Sequence, residues 1–308
     1  MTGEARTAPR TDRPGRRWRD LVLKIGVYGR MVKFSHTVFA LPFALSALVL
    51  AGREHRVTLV EIFWILVAMV GARSAAMGFN RIVDAGFDAR NPRTAARELP
   101  AGRLSGSAAG VFVVCFSGIF VFAAAMLGPL PLMLSGPVLG VLFLYSYTKR
   151  FTWLAHLYLG FAIALAPPAT WIAVTGVFSG KILWLSVALA AYIAGFDILY
   201  ACQDVAFDRS QGLFSIPARF GVKPALRAAR AIHAAAYGAF MMLYFAFDMT
   251  GGFLLAVGLI GFLLIFEHWL TDPDDLSRVP IAFFHVNSVI SVTLLAGVLA
   301  DELIRRMG

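Results

Sequence analysis

Residues 60–88 read VEIFWILVAMVGARSAAMGFNRIVDAGFD. Up to Asn80 the run carries two charged side chains, Glu61 and Arg73. A bilayer core needs about 20 apolar residues per spanning helix. A helix satisfies its own backbone polar groups, which lipid cannot do. The end of the run changes character: Asn80, Asp84 and Asp88 recur every fourth residue. With 3.6 residues per turn they stack along one helix face. The stretch therefore predicts a membrane span that emerges into a loop with two carboxylates and an amide in a row.

The rest of the chain repeats the apolar theme. Of 308 residues, 59% are hydrophobic and 15% charged, against roughly 45–50% and about 25% in a soluble domain. Spans are expected at 31–51, 60–80, 106–127, 129–147, 153–176, 181–203, 228–248, 250–270 and 281–301. Gly128-Pro129 predicts a tight turn between the third and fourth, and Pro167-Pro168 a kink in the fifth. The 28 glycines suit close helix packing in lipid. The apolar runs are continuous rather than alternating, which argues against a β-barrel. The fold class is all-α, a polytopic bundle of about nine transmembrane helices. Residues 1–30 are polar and Arg-rich and read as a flexible basic cytosolic tail, with residues 31–308 as one transmembrane domain. A secretory signal peptide is the rival reading of the first 51 residues, but the basic stretch is long for one and further spans follow. Cys115 and Cys202 show neither bridge nor zinc spacing and read as small buried residues.

The net charge of +10 raises the question of nucleic acid, but the basic residues cluster between apolar runs. With a cytosolic N-terminus, only Arg53, Arg56, Lys181, Arg305 and Arg306 fall outside, and Lys33 and Arg73 within spans. The other 21 of the 28 Lys and Arg residues fall on the cytosolic side. This asymmetry supports the span count and the orientation. A bacterial-type inner membrane is the expected location, with both motif loops cytosolic.

The second motif is DILYACQDVAFD, residues 197–208. Tyr200, Asp204 and Asp208 again repeat every four, and Asp197 lies two turns before Asp204, near the same face. Asp204 and Asp208 follow Asp84 and Asp88 by 120 residues each (204 − 84 and 208 − 88), a hint of two related halves. Carboxylates at a membrane boundary are costly unless paired or hydrated, and several facing one cavity repel each other. Mg²⁺ relieves that conflict. It takes oxygen ligands, usually one or two carboxylates plus waters and phosphate oxygens. Two such motifs suit Mg²⁺ between protein and a diphosphate, with Asn80, Asp84, Asp88, Asp204 and Asp208 as ligands. The bland alternative is helix-end acids in water, paired with neighbouring Arg. Arg81, Lys149, Arg150, Arg219 and Lys223 lie where they can neutralise a diphosphate, although the positive-inside rule also explains them. Lys149 is favoured because Tyr145 stands one turn before it.

At these residues the chain resembles the UbiA superfamily of intramembrane aromatic prenyltransferases. The family's N-x3-D-x3-D is met by Asn80, Asp84 and Asp88. Its second D-x3-D is met by Asp204 and Asp208, with Tyr200 one turn earlier. Its Y-x3-K is met by Tyr145 and Lys149. Many 4-hydroxybenzoate enzymes read R-P-L-P-S-G in the first loop, where this chain has Arg97-Glu98-Leu99-Pro100-Ala101-Gly102. That variant, with YACQD, is similar to the 4-hydroxybenzoate-polyprenyltransferase-like subgroup, some of whose members take a dihydroxynaphthoate-type acceptor in menaquinone biosynthesis. The resemblance implies Mg²⁺-dependent transfer of a prenyl chain from polyprenyl diphosphate to the ring of an aromatic acid, in ubiquinone or menaquinone biosynthesis. Asp84, Asp204, Lys149 and Tyr200 would carry the catalysis. Arg81, Arg73, Tyr145, Lys149, Asp197 and Arg219 would touch substrate, and the π faces of Phe79, Phe196 and Tyr200 would steady an allylic cation.

Arg73, deep in its span, can meet the acceptor's carboxylate, Glu61 or a backbone carbonyl. His36, His156, His268 and His285 have no ligand spacing to one another and read as packing or interface residues. A secondary transporter is the competing function class, but it would place acids mid-span beside broken helices. A CDP-alcohol phosphotransferase needs a D-x2-D-G-x2-A-R order that is absent.

Overall fold

The computed structural model describes residues 26–32 and 39–307. Residues 1–25, most of the expected tail, lie outside the described residues, as do 33–38, which include His36, and 308. Among the described residues the chain is helical without strands. Residues 26–31, read from sequence mostly as the end of the tail, are helical. Tyr28 there stacks on Phe112 with ring centroids 5.1 Å apart.

Helix α1 (Leu41–Ala51) leads to α2 (Leu59–Arg90), a 32-residue helix. Helix α2 starts at a capping box: Thr58 Oγ1 accepts from the Glu61 amide, and Glu61 Oε2 accepts from the Thr58 amide at 2.7 Å. The helix runs ten residues past the expected end of its span, so the Asn80–Asp88 motif is a rigid continuation of it. Helices α3 (Gly106–Leu127) and α4 (Pro129–Thr148) meet at Gly128, whose φ of 130° favours glycine.

The expected kink is an interruption of the helix at Ala164 and Leu165, and it lies upstream of the prolines. Helix α5 (Ala155–Ile163) stops and α6 (Ala166–Thr175) begins two residues before Pro168. Pro167 and Pro168 cannot bond the carbonyls of Ile163 and Ala164 and their rings press on them. Helix α7 (Leu183–Ala201) carries the start of the second motif, which runs on into the short helix α8 (Val205–Ser210), and α9 (Ile216–Phe220) follows. Then come α10 (Val222–Ala246), α11 (Gly251–Leu270) and α12 (Asn287–Met307), the last entered through a π-helical turn at Ala282–Val286.

Seven helical segments among the described residues are long and apolar enough to cross a membrane: Leu59–Arg90, Gly106–Leu127, Pro129–Thr148, Ala155–Thr175, Leu183–Ser210, Gly251–Leu270 and Val279–Met307. Nine were expected. Of the other two, the first is described over residues 31–32 and 39–51, where its helix α1 has 11 residues. The second, α10, carries Lys223, Arg227 and Arg230 in its first half.

The core lies among α1, α6, α7, α10, α11 and α12, around the fully buried Phe43, Trp171, Tyr192, Phe240 and Phe253. Helices α3 and α4 bury few side chains and leave Val111, Val114, Phe122 and Met133 uncovered. Apolar faces of this kind suit contact with acyl chains.

Helices α5 and α7 lie close together at Gly160. A Cβ there would sit 2.2 Å from the Ala190 carbonyl oxygen and 3.3 Å from the Ala194 methyl. The obstacle is backbone and cannot swing aside. Gly160→Ala is expected to cost about 1–3 kcal/mol, the usual penalty for overpacking. A lowered thermal inactivation midpoint in detergent would report it; an unchanged midpoint would contradict the close approach.

Candidate active site

Both motifs open into one cavity of about 280 Å³, lined by α2, the loop after it, the α4 end, α5 and α7 through α8. Asn80, Arg81, Asp84 and Asp88 line it from α2, and Asp197, Tyr200, Asp204 and Asp208 from the other side. Arg73, Tyr145, Lys149 and Phe196 line it too. Motifs 120 residues apart thus share one mouth, as a common ligand requires.

Within α2 the four-residue spacing acts as expected: Asn80 Nδ2 donates to Asp84 Oδ2 at 2.8 Å. The second motif is less regular. Helix α7 ends at Ala201, and Cys202–Asp204 form a tighter 3-10 turn before α8. A continuous helix was expected there. The turn changes the stacking, yet Tyr200, Asp204 and Asp208 all still reach the cavity.

Four of the five motif carboxylates face an Arg or Lys side chain. Asp88 accepts from Arg97 Nη1 at 2.7 and 2.8 Å, with Arg81 Nη1 at 3.9 Å. Asp204 is gripped by Arg93 through Nε at 2.9 Å and through Nη2. Asp208 accepts from Ser215 Oγ at 2.8 Å and faces Lys149 Nζ at 3.5 Å. Asp84 faces Arg150 Nη2 at 3.8 Å. Arg93 also donates to the Tyr200 hydroxyl at 2.6 Å and lies over its ring. Burial alone would lower the Arg93 pKa, but its contacts with Asp204 and Tyr200 raise it above the ordinary arginine value.

Arg93, Arg97 and Asn91, which donates to Asp204 at 3.3 Å, were not singled out from sequence. They belong to a loop without periodicity, where the signals were its basic composition and, for Arg97, its place at the head of the loop pattern shared with the family. Ser215 and the partner of Asp197 were missed for the same kind of reason. Asp197 Oδ2 lies 2.6 Å from Nδ1 of the buried His156 on α5.

Some expectations do not reach the cavity. Arg219 lies over the rings of Trp153 and Phe220, at 5.8 and 5.5 Å, and is not among the lining residues. Phe79 points from α2 toward α4, stacked on Phe143 at 4.4 Å. Four-residue spacing fixes a helix face only relative to its own helix. Glu98, where the first loop departs from the common family pattern, is buried outside the lining and faces Arg30 at 3.6 Å. Glu61, one partner considered for Arg73, is engaged in the Thr58 capping box. His268 does meet another histidine: its Nε2 lies 3.0 Å from His233 Nδ1. Their 35-residue separation hid this. His285 touches Phe284. Cys115 and Cys202 are free, Cys202 buried as expected and Cys115 exposed.

The acidic set also tests whether Mg²⁺ suits the cavity. Among the described residues no three His, Cys, Asp or Glu side chains converge as a metal cage. The donors are all hard oxygens, arranged as two separated pairs. That fits an ion needing one or two carboxylates and completing its shell with water and phosphate oxygens. It does not fit zinc, which takes a compact set of nitrogen and sulfur ligands.

The UbiA prenyltransferase family model matches residues 40–289. This chain belongs to that family. The motif resemblance and the all-helical membrane fold are thus confirmed together. A 4-hydroxybenzoate octaprenyltransferase of Vibrio campbellii is 33% identical over 150 residues, 48% of this chain and 52% of the relative. The chain spans about half the length of the first curated relatives it matches. A solved UbiA homolog from Aeropyrum pernix in its apo form is 33% identical, with a TM-score of 0.79 over 87% of this chain and 98% of that one. A UbiA homolog from Archaeoglobus fulgidus, solved bound to GPP and Mg²⁺, shares the fold at 18% identity, with a TM-score of 0.67 over 89% of this chain and 99% of that one.

Proposed function

We propose that this UbiA-family protein transfers a polyprenyl group from polyprenyl diphosphate to the ring of an aromatic acid, with Mg²⁺ as cofactor, in quinone biosynthesis. The observation that carries the reading is the convergence of Asn80, Asp84, Asp88, Asp204 and Asp208 on one cavity, interleaved with Arg and Lys. Such a mouth has the charges to take in a diphosphate together with its cation. A transporter reading would leave the interleaved arginines without a task.

Asp84, Asp88, Asp204 and Asp208, with the Asn80 amide oxygen, would hold Mg²⁺ at the diphosphate. There the ion supplies Lewis-acid charge and a template for the leaving group. Arg81, Arg93, Arg97, Lys149 and Arg150 now neutralise the carboxylates. As the diphosphate binds, these cations turn toward its oxygens, where Arg can grip two at once. They stabilise the charge that grows as the allylic C–O bond breaks. The rings of Phe196 and Tyr200 line the same cavity and offer π faces to the allylic cation. The prenyl tail lies along apolar side chains between helices, open to lipid.

Arg73 sits 11 residues before Asp84 on α2, about 16 Å deeper at 1.5 Å per residue. An intramembrane arginine facing a cavity marks a functional site by default, and its chemistry suits the acceptor's carboxylate. Arg73→Ala is expected to raise KM for the aromatic acid about tenfold or more. KM for the prenyl diphosphate should stay within about twofold. The reverse pattern would assign Arg73 to the diphosphate instead.

The acceptor is 4-hydroxybenzoate or a dihydroxynaphthoate-type acid. The positive-inside asymmetry supports a cytosolic N-terminus and cavity in a bacterial-type inner membrane. The test is to incubate membranes with polyprenyl diphosphate, Mg²⁺ and each acid in turn, and to identify products by mass. A prenylated acid that disappears with EDTA is expected. Flux of an ion or solute without any prenylated product would favour the transporter.

A further inference from the structure

Residues 26–32 lie ahead of the stretch that matches the family, and they pack behind the α2 side of the cavity. Met31 and Val32 are buried in a small apolar cluster with Ala109, set apart from the main core. Met77 and Ile82 of α2 and Leu99 and Leu104 of the following loop pack against it. Tyr28 adds its ring to Phe112 of α3, with the planes 8° apart. The segment is therefore seated on α2, α3 and the first motif loop at once.

Two consecutive residues of this segment reach the charges around Asp88. The Met31 carbonyl accepts from Arg81 Nε at 3.1 Å, while Arg81 Nη1 faces Asp88 at 3.9 Å. Arg30 Nε lies 3.6 Å from Glu98 Oε1. Glu98 adjoins Arg97, which holds the same Asp88 at 2.7 Å. The Glu98 carbonyl also accepts from the Arg103 and Leu104 amides, at 2.9 and 3.1 Å, and so closes the loop. The Glu98 side chain is only 9% exposed, and Arg30 answers its charge from the solvent side.

The chemistry of arginine gives these contacts a direction. A guanidinium is planar and carries five donors in a fixed fork. The Arg81 side chain is 5% exposed, so a donor left unmet there is costly. Met31 lies in the last turn of its helix, where carbonyls lack partners of their own. Holding Nε on that carbonyl fixes the plane of the fork. The Nη groups are then left for the cavity that Arg81 lines.

Resting on the prenyl-transfer reading, we propose that residues 26–32 brace the diphosphate side of the cavity from behind. Tyr28 and Arg30 are positioning residues. Tyr28 seats the segment on α3, and that seat holds the Met31 carbonyl against Arg81. Arg30 holds Glu98 and with it the part of the loop that carries Arg97. Without the brace, Arg81 folds onto Asp88 and answers that carboxylate instead of a diphosphate.

The test uses full-length protein in detergent with Mg²⁺. Inorganic pyrophosphate, which has no prenyl tail, reports the grip on the anion alone through its Kd. KM for polyprenyl diphosphate and for the aromatic acid report turnover. Tyr28→Ala should raise the pyrophosphate Kd and the KM for polyprenyl diphosphate by about tenfold, the scale of one hydrogen bond to a charged group. KM for the acid should stay within about twofold of wild type, a limit set well below that tenfold scale. Tyr28→Phe, which keeps the ring, should match wild type. Arg30→Ala should raise the same Kd by about threefold, as for a partly exposed ion pair. It alters an exposed side chain, so it decides the matter if Tyr28→Ala does not fold. Arg81→Lys keeps the charge without the fork. Adding Tyr28→Ala to it should cost little more, because both act through one contact. Wild-type Kd values in Tyr28→Ala and Arg30→Ala overturn the brace. Losses that simply add in the double variant overturn the route through Arg81. An equal rise in KM for the acid marks general loss of structure and also overturns it. A wild type that binds pyrophosphate but prenylates neither acid overturns the prenyl-transfer reading alone, since the Kd series still decides the brace.

Discussion

Asp84→Ala and Asp204→Ala are each expected to lower prenyl transfer by roughly 10²–10³-fold, the scale seen when one preorganised transition-state contact is removed. The argument is one of charge. Asp84 and Asp204 come from different helices and line the same cavity. A cation-bound diphosphate needs oxygen ligands from both sides. Losing either leaves Arg150 or Arg93 without its carboxylate and leaves the metal with fewer ligands. The Mg²⁺ concentration for half-maximal rate should therefore rise in both variants, and excess Mg²⁺ should recover part of the activity. Asp84→Asn keeps an oxygen donor without the charge and should fall between wild type and alanine. Asp275→Ala alters an exposed acid in the loop before α12 and should transfer at the wild-type rate. Assay of product by mass over a Mg²⁺ series decides the matter. Wild-type rate and Mg²⁺ dependence in Asp204→Ala would end the metal–diphosphate reading.

Arg53→Ala is expected to lower stability by about 3–5 kcal/mol, the cost of stripping one partner from a buried ion pair. Arg53 follows α1 at the end of the bundle opposite the cavity. It grips Asp301 through Nη2, Glu302 through Nε at 3.1 Å, and the Phe247 carbonyl through Nη1 at 3.1 Å. Asp301 is fully buried and also accepts from the Thr250 amide and faces Arg305 at 3.5 Å. One guanidinium thus ties α1, the α10–α11 turn and α12 together. Without it, Asp301 remains buried with less of its charge answered. The thermal inactivation midpoint in detergent should drop by on the order of 10 °C. The rate per folded molecule should hold, because the hub lies far from the motifs. Removing both charges, as Arg53→Met with Asp301→Leu, should recover part of the loss. A midpoint within a degree or two of wild type in Arg53→Ala would show that the hub contributes nothing.

Helix existence, the lipid environment and both acidic motifs were legible in the sequence because each depends on residues within one element. Apolar runs of about 20 residues and four-residue spacing are local signals, written along a single helix axis. Asn80 and Asp84 bond as that spacing requires. The family resemblance, carried by motifs of this local kind, held for the same reason. The tertiary structure decided what lies across from each motif. Arg93 reaches Asp204 from 111 residues away and His156 reaches Asp197 from 41. Arg219 and Phe79, which looked equally suitable in sequence, turn elsewhere. A helical period sets a face only relative to its own axis; which neighbour meets that face depends on how axes pack. Here that packing turns on a bare Cα at Gly160 and on a loop whose path no periodicity encodes.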